Sequence, residues 1–293
     1  MKTFIPLDIK IKEESKRKNT RWDIIEKDYA LSYILLGISN HPILSNFLVF
    51  KGGTALKKCY FGDYRFSEDL DFSAINDYEN KSFEKPLAEA ILISKNYLYE
   101  YGPFDIQLRR KPERAPHPAG QEAFLLSVAF PGHKSPQGFC KIKIEITRDE
   151  PIILQPVKKS ILHNYNEEFD GKIACYHIEE IIAEKMRALL QTNEKLITRG
   201  WNRPRARDYY DLWYILNNQT NNINKKNFQN LLKSKCDHKM VNYNSIDDFF
   251  TPHLVKEANK HWKSNLHLLT NDLPNCEYVL SKTRDLILSL LWN

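Results

Sequence analysis

The sequence predicts an α/β (α+β) fold, with a sheet-forming core over residues 1–165 and a mostly helical domain over 166–293. Three observations carry that expectation. An apolar run at 47–50 leads into adjacent Gly52 and Gly53, then a helix-like ALKKCYF, then the acidic segment SEDLDF at 67–72. Residues 139–147, FCKIKIEIT, alternate apolar and polar side chains with the period of two that marks a half-buried strand. Beyond Pro151 and Pro156 the apolar spacing changes to the i, i+3, i+4 steps of helices.

Composition sets the outer bounds. The 293 residues are 42% hydrophobic and 27% charged, which is globular rather than disordered, and long enough for a sizeable core without staples. A net charge of +6 permits a polyanionic partner without requiring one. The five cysteines, at 59, 140, 175, 236 and 276, form no C-x-x-C pair and read as reduced thiols rather than a disulfide frame or zinc site. The nine histidines show no metal-binding spacing, and His177, heading an apolar helix, reads as structural. The first residues lack the apolar core of a signal peptide, and no apolar stretch approaches the ~20 residues of a membrane span. A cytoplasmic protein with no membrane partner is expected.

In order, residues 1–20 are polar and read as an extended lead-in. From Arg21, WDIIEKDYALSYILLGIS reads as a helix with an apolar stripe and with Glu26, Lys27 and Asp28 on its outer side, ended by His41-Pro42. A short buried strand over 48–50 then meets Gly52-Gly53-Thr54. The chain has only 10 glycines, roughly half of average usage, so two side by side mark a backbone that turns sharply and opens its N–H groups to a ligand. The helix over 54–61 would aim its first N–H groups at an anion held there. In the strand that follows, Leu70 and Phe72 pointing inward would leave Asp69 and Asp71 together on the other face. Two neighbouring carboxylates repel, and hard oxygen donors of this kind suit Mg²⁺ when a substrate phosphate completes its shell.

Residues 82–101 read as an amphipathic helix closed by Gly102-Pro103, and 106–110 and 122–130 as strands separated by the KPERAPHPAG loop, with 132–138 a hairpin connection. In 139–147, Ile142, Ile144 and Ile146 share one face and Lys143, Glu145 and Thr147 the other. Glu145 can serve there as a third metal carboxylate or a general base, or simply face solvent beside Lys143. The helix over 178–191 places Lys185 inside its apolar stripe between Ile181 and Leu189, so its amine either snorkels out or meets a buried anion. TRGWNRPRARDYYDLWYILNN then crowds Arg199, Arg203, Arg205 and Arg207 around Trp201 before a helix starting near Ala206. Asp208 lies on that helix's apolar stripe with Asp211 at its edge, so Lys185 and Asp208 are expected to approach each other or a shared ligand. Residues 224–293 read as helices and loops, with Trp262, Leu266, Leu268 and Leu269 packed against a final helix over 279–292.

Taken together, EKDYALSYIL (26–35), FKGGTALKKCYF (50–61), RFSEDLDF (65–72), KIKIEITRDEP (141–151), EEIIAEKMRALL (179–190) and ARDYYDLWYI (206–215) resemble, in the same order, the AbiEii-type nucleotidyltransferase toxins of type IV toxin–antitoxin and phage-defence systems. The resemblance spans 26–215, and the C-terminal third adds little to it. It implies a mixed-sheet, polymerase-β-like nucleotidyltransferase core and a helical domain that completes the active-site cleft. It further implies transfer of a nucleoside monophosphate from an NTP to a hydroxyl with release of pyrophosphate. By the resemblance, Gly52, Gly53 and Thr54 hold the triphosphate with help from Lys57, and Arg65 and Asp211 join the nucleotide site. Ser67 would be a phosphate contact or a modified residue. Asp69 and Asp71, with Glu145 as third carboxylate, would hold Mg²⁺ or Mn²⁺. Lys185 would contact phosphate beside Asp208, the second domain's acidic residue. The acceptor implied is RNA, notably a tRNA 3′ end, met by Arg199, Trp201, Arg203, Arg205 and Arg207, and a cognate antitoxin is an implied partner. A small-molecule or protein hydroxyl as acceptor, and a non-catalytic nucleotide- or partner-binding protein, are the alternatives.

Overall fold

A computed structural model of the chain describes residues 5–75, 82–112, 121–132, 139–219 and 223–292. It divides into two compact units, Met1–Tyr176 and His177–Asn293. The sheet-forming unit therefore runs past residue 165, because two short strands after Pro156, β6 (Val157–Ser160) and β7 (Lys172–Cys175), still belong to its sheet.

The first unit is built on a seven-stranded mixed sheet in the order β3-β4-β5-β2-β1-β7-β6. The remaining strands are β1 (Leu48–Lys51), β2 (Asp69–Ala74), β3 (Asp105–Arg110), β4 (Glu122–Ala129) and β5 (Cys140–Thr147). β2 runs antiparallel to β1 and parallel to β5, and β1 runs parallel to β7, so β2 sits near the centre with a neighbour on each side. Alternation governs these strands as expected: Leu70, Phe72, Ile142, Ile144 and Ile146 are fully buried, and their partners project to the opposite face. The hairpin connection expected over 132–138 falls mostly outside the described residues, as does most of the KPERAPHPAG loop.

Two N-terminal expectations are corrected. Residues Leu7–Arg17 form a helix, α1, rather than an extended lead-in, with Leu7 and Ile11 buried. The next helix, α2 (Trp22–Asn40), packs against α1, β5, β7 and the helix α5 (Glu84–Leu98). Elements on several sides leave α2 little outer surface, and Glu26 and Asp28 are each only 6% exposed rather than solvated. A one-turn helix, α3 (Leu44–Phe47), then delivers the chain to β1.

The second unit is helical: α6 (Ile178–Arg199), α7 (Ala206–Gln219), α8 (Lys225–His238), α9 (Pro252–Leu266) and α10 (Cys276–Leu291). α6 continues past Gln191 until Gly200 ends it in the left-handed conformation, φ +62°, so Arg199 closes a helix rather than lying in the loop. Buried Lys235 of α8 ties that helix to α6 by ion pairs of 2.8 Å to Glu180 and 3.2 Å to Glu184. Trp262, Leu266 and Leu269 are buried as expected, but Leu268 is 40% exposed. All five cysteines are free and buried. Among the described residues no helix is long and apolar enough to cross a membrane.

Candidate active site

β1 ends at Lys51 and the chain turns at once into a short helix, α4 (Gly52–Ala55), which widens into a π-helical turn over Leu56–Tyr60. The turn dictates both glycines. Gly52 takes φ +79°, and a Cβ there would stand 2.5 Å from Asp71 Oδ2. A Cβ on Gly53 would stand 2.8 Å from the Arg65 guanidinium and 3.3 Å from Ser67 Oγ. The turn is thus pressed against the carboxylate strand on one side and against Arg65 and Ser67 on the other. Arg65 is buried and donates to the Phe66 carbonyl at 3.1 Å. Backbone N–H groups at a glycine-lined helix start beside a guanidinium make an anion-binding surface.

Two neighbours of the turn hold it rather than face outward. The Thr54 hydroxyl, on a residue only 1% exposed, donates to the Asp69 carbonyl and lies 2.7 Å from Ser67 Oγ. The Lys57 amine donates to the carbonyls of Tyr64 at 3.1 Å and Gly62 at 3.4 Å and sits over the Phe66 ring at 4.4 Å. Burial pushes its pKa down. Lys57 thus shapes the loop over 62–66, and the help with a triphosphate that the resemblance implies would require its amine to leave these carbonyls.

Asp69 and Asp71 share one face of β2, and the parallel register with β5 sets Asp69 beside Lys143 and Asp71 beside Glu145. Across the antiparallel pair, Asp71 faces Lys51. Partial burial and the carboxylates around them raise both aspartates: Asp71, affected first by desolvation and then by Glu145 and Asp69, rises to about 7 despite Lys51 and Lys143. Asp69 rises through desolvation and Glu68. Two crowded carboxylates whose charged forms are disfavoured by burial and by each other are a donor set that a divalent cation would fit. Glu145, beside Asp71 in register, is already engaged. Its carboxylate pairs with Lys143 Nζ at 2.7 Å and accepts from the Gln121 side-chain amide. Among the described residues no group of three His, Cys, Asp or Glu side chains converges as a metal cage. The donors that fit a cation are therefore Asp69 and Asp71, with substrate oxygens left to complete the shell. Lys143 lies beside Glu145 as expected, two residues before it on the same face, whereas Lys51 and Gln121 carry no such signal in the sequence and become neighbours only through pairing.

In the helical unit, Lys185 of α6 meets α7 as expected. Its amine lies 3.0 Å from Asp208 Oδ1 and 2.6 Å from Asp211 Oδ2. Arg205 completes the cluster, donating to Asp208 Oδ2 at 3.0 Å and to Thr192 Oγ1 at 2.6 Å. Burial alone would raise the Asp208 pKa, but Lys185 and Arg205 outweigh it and hold this carboxyl far below the usual range. The four arginines of this stretch consequently divide. Arg205 is spent on Asp208, and Arg207 donates to the Asn265 carbonyl at 3.2 Å. Arg199 and Arg203 are exposed, as is Trp201, with the Lys195 amine 5.3 Å from its ring centre.

The model of the family described as nucleotidyl transferase AbiEii toxin, type IV toxin–antitoxin system, matches residues 34–285. This chain belongs to the AbiEii family. The match runs well into the C-terminal third, so α8, α9 and most of α10 belong to the family's span, contrary to the reading that this region adds little. Among solved structures, the nucleotidyltransferase toxin MenT4 from Mycobacterium tuberculosis H37Rv is similar in fold. The TM-score is 0.62 at 19% identity, over 96% of this chain and 88% of that one. No curated protein matches the sequence. As an AbiEii protein, the chain is a nucleotidyltransferase toxin of the type IV toxin–antitoxin class.

Proposed function

We propose that this AbiEii protein transfers a nucleoside monophosphate from an NTP to an RNA hydroxyl, at a tRNA 3′ end, in a Mg²⁺-dependent reaction. The observation that supports the proposal is the close approach of Gly52 to Asp71, so that the glycine turn lies against one of the two crowded carboxylates. The turn's N–H groups and Arg65 would hold the triphosphate, while Asp69 and Asp71 would hold the cation. Bound there, Mg²⁺ would neutralise charge on the phosphates and acidify an acceptor hydroxyl. The acceptor oxygen attacks the α-phosphorus, its proton passes to Asp71 or Glu145, and the bond to the β,γ-phosphates breaks to release pyrophosphate. Most of the acceleration then comes from positioning and charge neutralisation rather than covalent chemistry. Exposed Arg199, Arg203 and Trp201 support a nucleic-acid acceptor, supplying phosphate contacts and a stacking surface. A cognate antitoxin, the partner that a type IV system entails, would act on this activity.

Purified protein incubated with total RNA, Mg²⁺ and each labelled NTP in turn tests the reading. Label is expected in the tRNA fraction with one preferred NTP, and Asp69→Asn should abolish it with the fold intact. Near-normal transfer by Asp69→Asn would remove that residue from the mechanism. Label appearing only in protein or small molecules would replace the RNA acceptor.

A further inference from the structure

The EKD segment of α2 has no part in the chemistry above, yet it touches both halves of the site. Asp28 Oδ2 lies 2.7 Å from the Lys58 amine and accepts from the Tyr165 hydroxyl at 3.0 Å. Lys58 also donates to Ser32 Oγ at 3.0 Å, and it is only 2% exposed. Lys58 belongs to the π-helical turn that begins three residues after Gly53, in which Phe61 N donates to the Leu56 carbonyl at 2.8 Å. One residue before Asp28, Lys27 pairs at 3.2 Å with Glu68, the immediate neighbour of Asp69.

Stability is a poor explanation for the Asp28–Lys58 pair. Desolvating two charges cancels much of their attraction, and well-packed apolar replacements of buried ion pairs are often neutral or stabilising. This pair is also incompletely satisfied, since Asp28 Oδ1 is buried without a hydrogen-bond partner. What the pair does supply is direction. It fixes the register of a widened helical turn, a form that recurs at functional sites, against a helix that also reaches the carboxylate strand.

We infer that Lys27 and Asp28 are positioning residues, Asp28 fixing the glycine turn through Lys58 and Lys27 fixing the approach to Asp69 through Glu68. The inference rests on the proposal that this turn holds triphosphate and this strand holds the cation. Adjacent positions on one helix thereby set the spacing between the two binding elements.

Calorimetric titration of the full-length protein with non-hydrolysable triphosphate analogues, and separately with MgCl₂, tests it alongside thermal melting. Asp28→Leu/Lys58→Met is expected to melt at or above the wild-type temperature yet bind the analogue about ten- to a hundredfold more weakly, the cost of a small misplacement. Lys27→Met is expected to weaken Mg²⁺ binding several-fold and leave analogue binding in metal-free buffer unchanged. Lys58→Arg, which keeps the charge, should recover part of the lost affinity and keeps the inference testable if the double variant does not fold. Wild-type analogue affinity in the double variant, or no recovery by Lys58→Arg relative to Lys58→Met, overturns the Asp28 half. Wild-type Mg²⁺ affinity in Lys27→Met overturns the Lys27 half. Gly52→Ala and Asp69→Asn run in parallel: if these bind analogue and Mg²⁺ normally, the site assignment itself has failed rather than the positioning.

Discussion

At Gly52 two constraints coincide: a positive φ of +79° and an Asp71 oxygen where a side chain would begin. An alanine there must adopt a left-handed backbone, at about 1–2 kcal/mol, and displace the carboxylate as well. Gly52→Ala is expected to lower the melting temperature modestly and to cut nucleotide transfer by about a hundredfold, the scale of a displaced reacting group. Asp208 carries the clearest pH signature. Its folded pKa lies below its unfolded value of about 3.9, so its contribution to stability is complete above that value and is lost as pH falls through the folded pKa. Urea unfolding should show Asp208→Asn less stable by about 1.5–3 kcal/mol at pH 7, because Arg205 and Lys185 lose a shared carboxylate while Lys185 keeps Asp211. The gap to wild type should narrow as pH drops below 4. At this scale residue type was informative but orientation was not. Thr54 and Lys57 sit where a phosphate-binding residue would be sought, yet burial turns both inward onto carbonyls.

β2 is the element on which the site depends. Its period of two was enough to place Asp69 and Asp71 on one face, and its register with β5 brings Glu145 alongside. A ligand that binds only the folded state stabilises it by about 2.7 kcal/mol at a hundredfold excess over its Kd. Millimolar Mg²⁺ should therefore raise the wild-type melting temperature, while Asp69→Asn/Asp71→Asn should show no shift. α2 shows the limit of the same kind of reading. An amphipathic stripe was legible, but the helix is covered on several sides, and only packing reveals that Asp28 is buried against Lys58. β6 and β7 are as short as β1 but lack the run of large apolar side chains at 47–50 that marks it, so nothing in the sequence announces them as strands.

Over the whole molecule the charge of +6 fits a polyanionic substrate, and each phosphate contact should leave a measurable salt dependence. Binding to total tRNA is expected to weaken linearly on a log–log plot of affinity against salt. Arg199→Ala/Arg203→Ala should lower that slope by about 1.4, from ~0.7 per contact to single-stranded nucleic acid. Arg207→Ala, whose guanidinium is held by the Asn265 carbonyl, should leave the slope nearly unchanged. An unchanged slope in the double variant would mean that the exposed arginines do not meet RNA.

By itself the sequence determined the class of fold, the glycine turn, the paired carboxylates and the opposed charges on α6 and α7. Each depends on local rules: backbone freedom at glycine, the period of a strand, the angle between helical side chains. Only the tertiary structure decided which charges are already satisfied. It gave Arg205 to Asp208, Glu145 to Lys143, Lys57 to the loop carbonyls and Lys58 to Asp28. The physical reason is that each of these charges has several partners within reach, near and far in the chain, and packing and the water stripped by burial decide which one it takes.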